Sequence, residues 1–123
     1  MKFFIVFLGG GIGSLLRYIF SLLLARINDN PLLISTLGVN ILGSLLIGIA
    51  WAYFEKFQLL QNYRLLIMIG ILGGFTTFSS FALENLNLFK DGYWKLAFFY
   101  IFASNIGAIL SAFVGYFGLK SII

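Results

Sequence analysis

GILGGFTTFSSF, residues 70–81, sets four hydroxyl side chains, Thr76, Thr77, Ser79 and Ser80, between runs that are almost wholly apolar. Gly70, Gly73 and Gly74 precede the hydroxyls, and Phe75, Phe78 and Phe81 thread through them. In water such a cluster would pass for a loop. Inside a bilayer no solvent satisfies its backbone, so the segment must satisfy itself, lean on protein, or line an ion or a wet cavity. Ser and Thr hydroxyls bond the carbonyls of a bent helix, and they also offer donors and acceptors to a bound ion. Two readings stand side by side. One is a glycine-weakened helix packed tightly on a neighbour; the other is a broken helix lining an ion site.

The flanking sequence identifies the medium. Of 123 residues, 61% are hydrophobic and 10% charged, with 15 Phe and one Pro. That leaves too little polar surface for a soluble domain of this length. The expectation is an all-α integral membrane protein forming one unit. Lys and Arg number 8 against 4 acidic residues and are scattered, so a net charge of +4 makes no nucleic-acid surface. The absence of Cys and His excludes thiolate and imidazole metal sites and imidazole acid–base chemistry. Lys2 alone precedes the first apolar run and no small-residue cleavage pattern follows, which reads as a retained helix rather than a signal peptide. Nothing matches a nucleotide-binding motif or a catalytic set.

Four apolar spans are expected, at about residues 3–24, 32–54, 64–90 and 94–119, each long enough for roughly 30 Å of hydrocarbon. In the first, Gly9 and Gly13 form a small-xxx-small pair that lets another helix approach closely. Arg17 shares a stripe with Gly10, Ser14 and Ser21. It either snorkels to the interface or stands in a polar vestibule. RINDNP, residues 26–31, is a turn with Asn28, Asp29 and Asn30 as capping groups and Pro31 opening the next helix.

On the second span Thr36, Asn40 and Gly43 share a face. Asn40 either joins helices by a hydrogen bond or donates its amide to an anion passing at midplane. Residues up to Arg64 read as an amphipathic connector. On the third span Phe78 and Phe81, three residues apart, share a face, and Glu84 follows on the same face. The fourth span carries Tyr100 and then Ser104, Gly107, Ser111, Gly115 and Gly118 at offsets of three and four. That line is first a close-packing seam, with hydroxyls that could lead polar groups along a pore. Tyr93 and Trp94 suit an interfacial belt.

Four spans place both termini on one side, with Lys2, Lys56, Arg64 and Lys120; the other side has Arg26, Lys90 and Lys95, with Arg17 ambiguous. Charges this even give no positive-inside bias. The chain is therefore expected to insert in both orientations, and an antiparallel two-fold homodimer follows.

These residues carry a resemblance. The sequence resembles the small fluoride-export channel family of bacteria and archaea through GGGIGSLLRY (residues 9–18), STLGVNILG (35–43) and GGFTTFSSF (73–81). The SFALE run ending at Glu84 and the Tyr100, Ser104, Gly107 pattern match as well. Ser35 stands where the family motif has Gly, and Ser80 where it has Thr. The resemblance implies a dual-topology homodimer in the cell inner membrane, with two parallel fluoride pores and a structural sodium ion at its centre. It assigns Phe78, Phe81, Asn40, Ser80, Tyr100 and Ser104 to the pore, and the backbone carbonyls of Gly73 and Thr76 to sodium. Arg17, Thr36, Thr77, Ser79, Glu84 and Ser111 fall to a vestibule or polar wall. The implied activity is passive fluoride export, with no enzyme chemistry, and the implied partners are fluoride, sodium, a second copy and lipid.

Two other functions remain in view. A proton-coupled exporter of small cationic drugs would want an acid deep in the membrane, and Glu84 alone is available. A non-conducting scaffold subunit would use the glycines and hydroxyls only for packing. Mixed orientation is directly testable. Single cysteines placed in residues 26–31 should label partly from outside and partly from inside intact cells, whereas labelling from one side only would remove the antiparallel expectation.

Overall fold

A chain this apolar keeps its backbone satisfied in hydrocarbon by coiling, and the computed structural model is helical along all four spans. It describes residues 1–123, apart from the surroundings of the Pro31 side chain. α1 covers Lys2–Ala25 and α2 covers Pro31–Phe57. The third span, Gln61–Lys90, comprises α3 over residues 61–75 and α4 over Ser79–Lys90. α5 covers Trp94–Ile122. All four are long and apolar enough to cross a membrane, which makes this a multi-pass membrane protein. At about 1.5 Å per residue, spans of 24 to 30 residues exceed roughly 30 Å of hydrocarbon. The helices therefore tilt or carry their ends into the headgroup layers.

Helix ends overrun the expected bounds by up to three residues, reaching Phe57, Gln61 and Ile122. The expected amphipathic connector shrinks to residues 58–60. Gln58 closes α2 in a left-handed conformation (φ 47°, ψ 43°), its N–H on the Phe54 carbonyl at 3.0 Å. Arg64 donates to the same carbonyl from Nη2 at 3.1 Å, and its guanidinium lies over the Trp51 and Phe54 rings. A cation at a helix C-terminus meets the negative end of the dipole. At the other end of α2, Asn30 holds the cap position ahead of Pro31, but its side chain makes no capping bond.

Packing is by pairs. α1 lies on α3, and α2 lies on α5. Glycine permits both approaches. A Cβ on Gly9 would stand 2.7 Å from the Leu66 carbonyl oxygen and 2.8 Å from Gly70 Cα, and one on Gly74 would stand 2.6 Å from the Gly10 carbonyl oxygen. A Cβ on Gly48 would overlap the Ala112 carbonyl, and one on Gly115 the Leu45 carbonyl. Backbone meets backbone, so neither side can give way. The seam expected on the last span is real at Gly107, against Ile41, and at Gly115, but it ends there, since Gly118 faces open space.

α3 begins as one α turn and then widens to i→i+5 bonding over Leu65–Leu72, before tightening again at Gly73–Phe75. Such wide turns are rare and collect at functional sites. Fully buried bulk is modest: Val39, Phe54, Leu72, Phe75, Phe81, Ala97 and Tyr100 form most of the core, while Leu, Ile and Phe cover the outward faces of α1 and α5. Those faces meet lipid or protein.

The seam gives a paired test. Gly115→Ala should destabilise the fold by about 1–3 kcal/mol, the range for overpacking, and lower the melting temperature of the detergent-solubilised protein. Gly118→Ala, with open space before it, should leave that temperature unchanged or slightly raised.

Candidate functional site

Helical bonding lapses for three residues in the third span. Thr76 turns extended (φ −81°, ψ 159°), and helix resumes at Ser79. Gly43 makes room for this, because a Cβ there would run into Thr76 Cγ2. Each polar group freed by the lapse needs a partner. Thr76 keeps its N–H on the Leu72 carbonyl at 3.1 Å and adds its hydroxyl to the same oxygen at 3.0 Å. Thr77 is held by Asn40: its N–H donates to Oδ1 at 2.8 Å, and its carbonyl accepts from Nδ2 at 2.9 Å. Only one orientation of the amide satisfies both bonds. Thr77 Oγ1 then accepts the Ser80 N–H at 3.2 Å, capping the first turn of α4, and contacts the Ser79 and Ser80 hydroxyls.

Of the two readings open for Asn40, the structure displays helix joining, with the partner being backbone rather than another side chain. One amide N–H remains beyond the clasp.

Two cavities flank this segment, and Thr77 borders both. The narrower, about 310 Å³, is lined by Arg17, Thr36, Ser80 and Glu84 among others. Arg17 does not merely snorkel: its Nη1 reaches the Thr76 carbonyl at 3.5 Å. Glu84 accepts the Thr36 hydroxyl on Oε1 at 2.6 Å and the Tyr100 hydroxyl on Oε2 at 2.5 Å. Both carboxylate oxygens are thereby occupied, one from α2 and one from α5.

The wider cavity, about 400 Å³, is lined by Asn40, Gly73, Thr76, Phe78, Phe81 and Ser104, with further residues of α2 and α5. Phe78 and Phe81 sit with ring centroids 5.3 Å apart, and Phe81 and Tyr100 at 5.2 Å. Phe78 caps the start of α4 in a helical conformation, its carbonyl accepting the Ala82 N–H at 2.8 Å, so the two rings share a face at the beginning of that helix. Phe81 is 7% exposed and Phe78 72%. Ser104 Oγ is buried with no partner among the described residues.

Expected residues therefore sort into two groups. Asn40, Phe78, Phe81 and Ser104 meet at the wider cavity, with Gly73 and Thr76. Arg17, Thr36, Thr77, Glu84 and also Ser80 meet at the narrower one. Tyr100 lines neither; it backs Phe81 and holds Glu84. Ser79 touches the Thr77 hydroxyl. Ser111 lies outside both cavities, its hydroxyl donated to the Gly107 carbonyl at 2.7 Å.

Among the polar lining residues, Ser44 and Asn105 at the wider cavity were missed, and Ser14, expected only on the stripe of Arg17, lines the narrower one. Ser44 was findable, since Thr36, Asn40 and Ser44 keep a four-residue period along α2. Ser21 and Ser35, also at the narrower cavity, bond each other at 2.6 Å; Ser35 is the position where the family motif has Gly.

Carbonyls are the cation ligands available here. The Thr77 N–H that a continuous helix would give to Gly73 goes to Asn40 instead, and the Thr76 carbonyl accepts only the long contact from Arg17. Among the described residues no His, Cys, Asp or Glu cluster is suited to a metal ion.

The clasp is testable by itself. Asn40→Asp keeps size but sets oxygen against the Thr77 carbonyl. The loss of a hydrogen bond to a buried partner, about 1–3 kcal/mol, should appear as a lower melting temperature; an unchanged one would show that the clasp contributes nothing.

Comparison with known proteins places this geometry in context. The sequence profile of a family described as "CrcB-like protein, Camphor Resistance (CrcB)" matches residues 4–116. A protein of Parabacteroides distasonis named fluoride-specific ion channel FluC is 39% identical over 123 residues, covering all of this chain and 96% of its own length. The protein of the same name from Phocaeicola vulgatus is 40% identical over 111 residues, 90% of this chain and 92% of that one. A third protein of that name, from a Hydrogenobaculum species, is 39% identical over 119 residues, 95% of this chain and 96% of that one.

Proposed function

The chain is a member of the CrcB-like family, and from that premise we infer that it is a fluoride-selective channel, not an enzyme. It lets fluoride leave passively across the cell membrane and so protects the cell from its toxicity. The observation that carries this is near-complete coverage at about 39% identity by proteins named fluoride-specific ion channels. The site's chemistry supports it. Fluoride holds its water tightly, and moving a bare ion into low dielectric costs tens of kcal/mol unless donors replace the shell. The wider cavity offers the unpartnered Ser104 hydroxyl and the remaining Asn40 N–H beside it. Phe78 and Phe81 add electropositive ring edges and a narrow, stiff aperture. Arg17 in the narrower cavity attracts anions before they reach it.

The finer arrangement is part of the same proposal. The interval at Thr76–Phe78 is a break in one membrane-crossing helix, and two chains pair antiparallel across it. Near-even charges at the two ends support insertion both ways, and the 72% exposure of Phe78 in a single chain suits a ring that a second copy covers. The carbonyls of Gly73 and Thr76, relieved of helical donors and bordering one cavity, fit a sodium ion at the pair's centre. When bound, that ion would supply positive potential to the anion path and hold the carbonyls of the break.

Purified protein in liposomes loaded with fluoride should release it, and chloride-loaded liposomes should retain theirs. Phe78→Ile and Phe81→Ile should each cut fluoride efflux strongly, because bulk is kept while the ring edge is lost, and dimers should still form. Absence of fluoride efflux from the wild-type protein would overturn the channel reading. Wild-type efflux in both folded variants would remove the rings from the path.

A further inference from the structure

A hydroxyl buried in a membrane protein ordinarily finds a carbonyl close by, and most here do. The chain has twelve Ser and Thr residues. Nine of their hydroxyls have partners among the described residues, several on the carbonyl one helical turn back, as with Ser21, Thr76 and Ser111. The three without partners are Ser14, Ser44 and Ser104, and each lines one of the two cavities. Ser14 is exposed and borders the narrower cavity rather than the wider one. Ser104 already belongs to the proposed path. Ser44 is half-buried, borders the wider cavity with Phe78, Phe81 and Ser104, and has no assigned role.

We propose that Ser44 is a further fluoride-coordinating residue, its hydroxyl donating to the ion within the wider cavity. The proposal rests on the channel reading above. Ser44 stands one turn beyond Asn40 on α2, so the two project along one side of that helix. α2 packs most closely against α5, which carries Ser104. The cavity is thus provided with hydroxyls from both helices. An ion leaving the neighbourhood of Asn40 would meet the next donor about one helical turn, roughly 5 Å, further on. A serine that declines its own helix's carbonyl keeps its proton free for an anion. A merely space-filling role would be served as well by alanine, and a lipid-facing one better.

Three variants assayed by fluoride efflux from liposomes decide it. Ser44→Ala removes the donor with little change in volume and should slow efflux about tenfold, the scale of one hydrogen bond to a charged group, without altering dimer elution. Ser44→Thr keeps the hydroxyl and should recover most of that loss. Ser44→Val matches threonine in shape and should be as slow as alanine. Wild-type efflux in Ser44→Ala, or equal impairment in the threonine and valine variants, would overturn the role of Ser44 and leave the channel reading standing. A wild-type protein that releases no fluoride would overturn both.

Discussion

A peptide group that leaves a helix inside a bilayer must find another partner, because hydrocarbon offers none. Thr76, Thr77 and Phe78 leave the helix in the third span, and much of the molecule is arranged around that fact. Asn40 answers for both backbone groups of Thr77. The Thr76 hydroxyl doubles a bond its own amide already makes, and the Thr77 hydroxyl caps the helix that follows. The carbonyls of Gly73 and Thr76 lose their helical donors, that of Thr76 keeping only the long contact from Arg17, and both residues border the wider cavity.

Charge follows the same economy. Arg17 and Glu84 both line the narrower cavity, yet no ion pair joins them among the described residues. Glu84 is held by Thr36 and Tyr100, which keeps its carboxylate turned toward α2 and α5. Arg17 reaches toward the Thr76 carbonyl instead. A guanidinium not neutralised by a carboxylate preserves positive potential where an anion would approach.

How much of this the residues declared beforehand depends on the kind of constraint involved. Span number and type follow from composition, since nothing else sustains this apolarity. The Gly9 and Gly13 contact was legible as well, because small residues four apart announce a close approach. The two-group sorting of the hydroxyls was not legible. Ser80 and Ser104 look alike in sequence, and only the packing of α4 and α5 shows that one lines each cavity. Tyr100 looked like a lining residue but works from behind, through Glu84 and Phe81. Ser44 was passed over because a glycine at position 43 had already filled the expected register; Gly43 serves the methyl of Thr76 instead. The wide turns of Leu65–Leu72 left no mark in an unbroken apolar run.

The Asn40 clasp has a consequence for how such a protein can change over generations. Its two bonds read the main chain of Thr77 and ignore its side chain. Every amino acid except proline presents that same N–H and carbonyl, so the clasp places no demand on which residue stands at position 77. It does demand an amide of one length at position 40. The coupling between the two positions is thus strong in energy and silent in sequence: a search for pairs of positions that mutate together would find Asn40 immobile and without a correlated partner, although its partner lies less than 3 Å away.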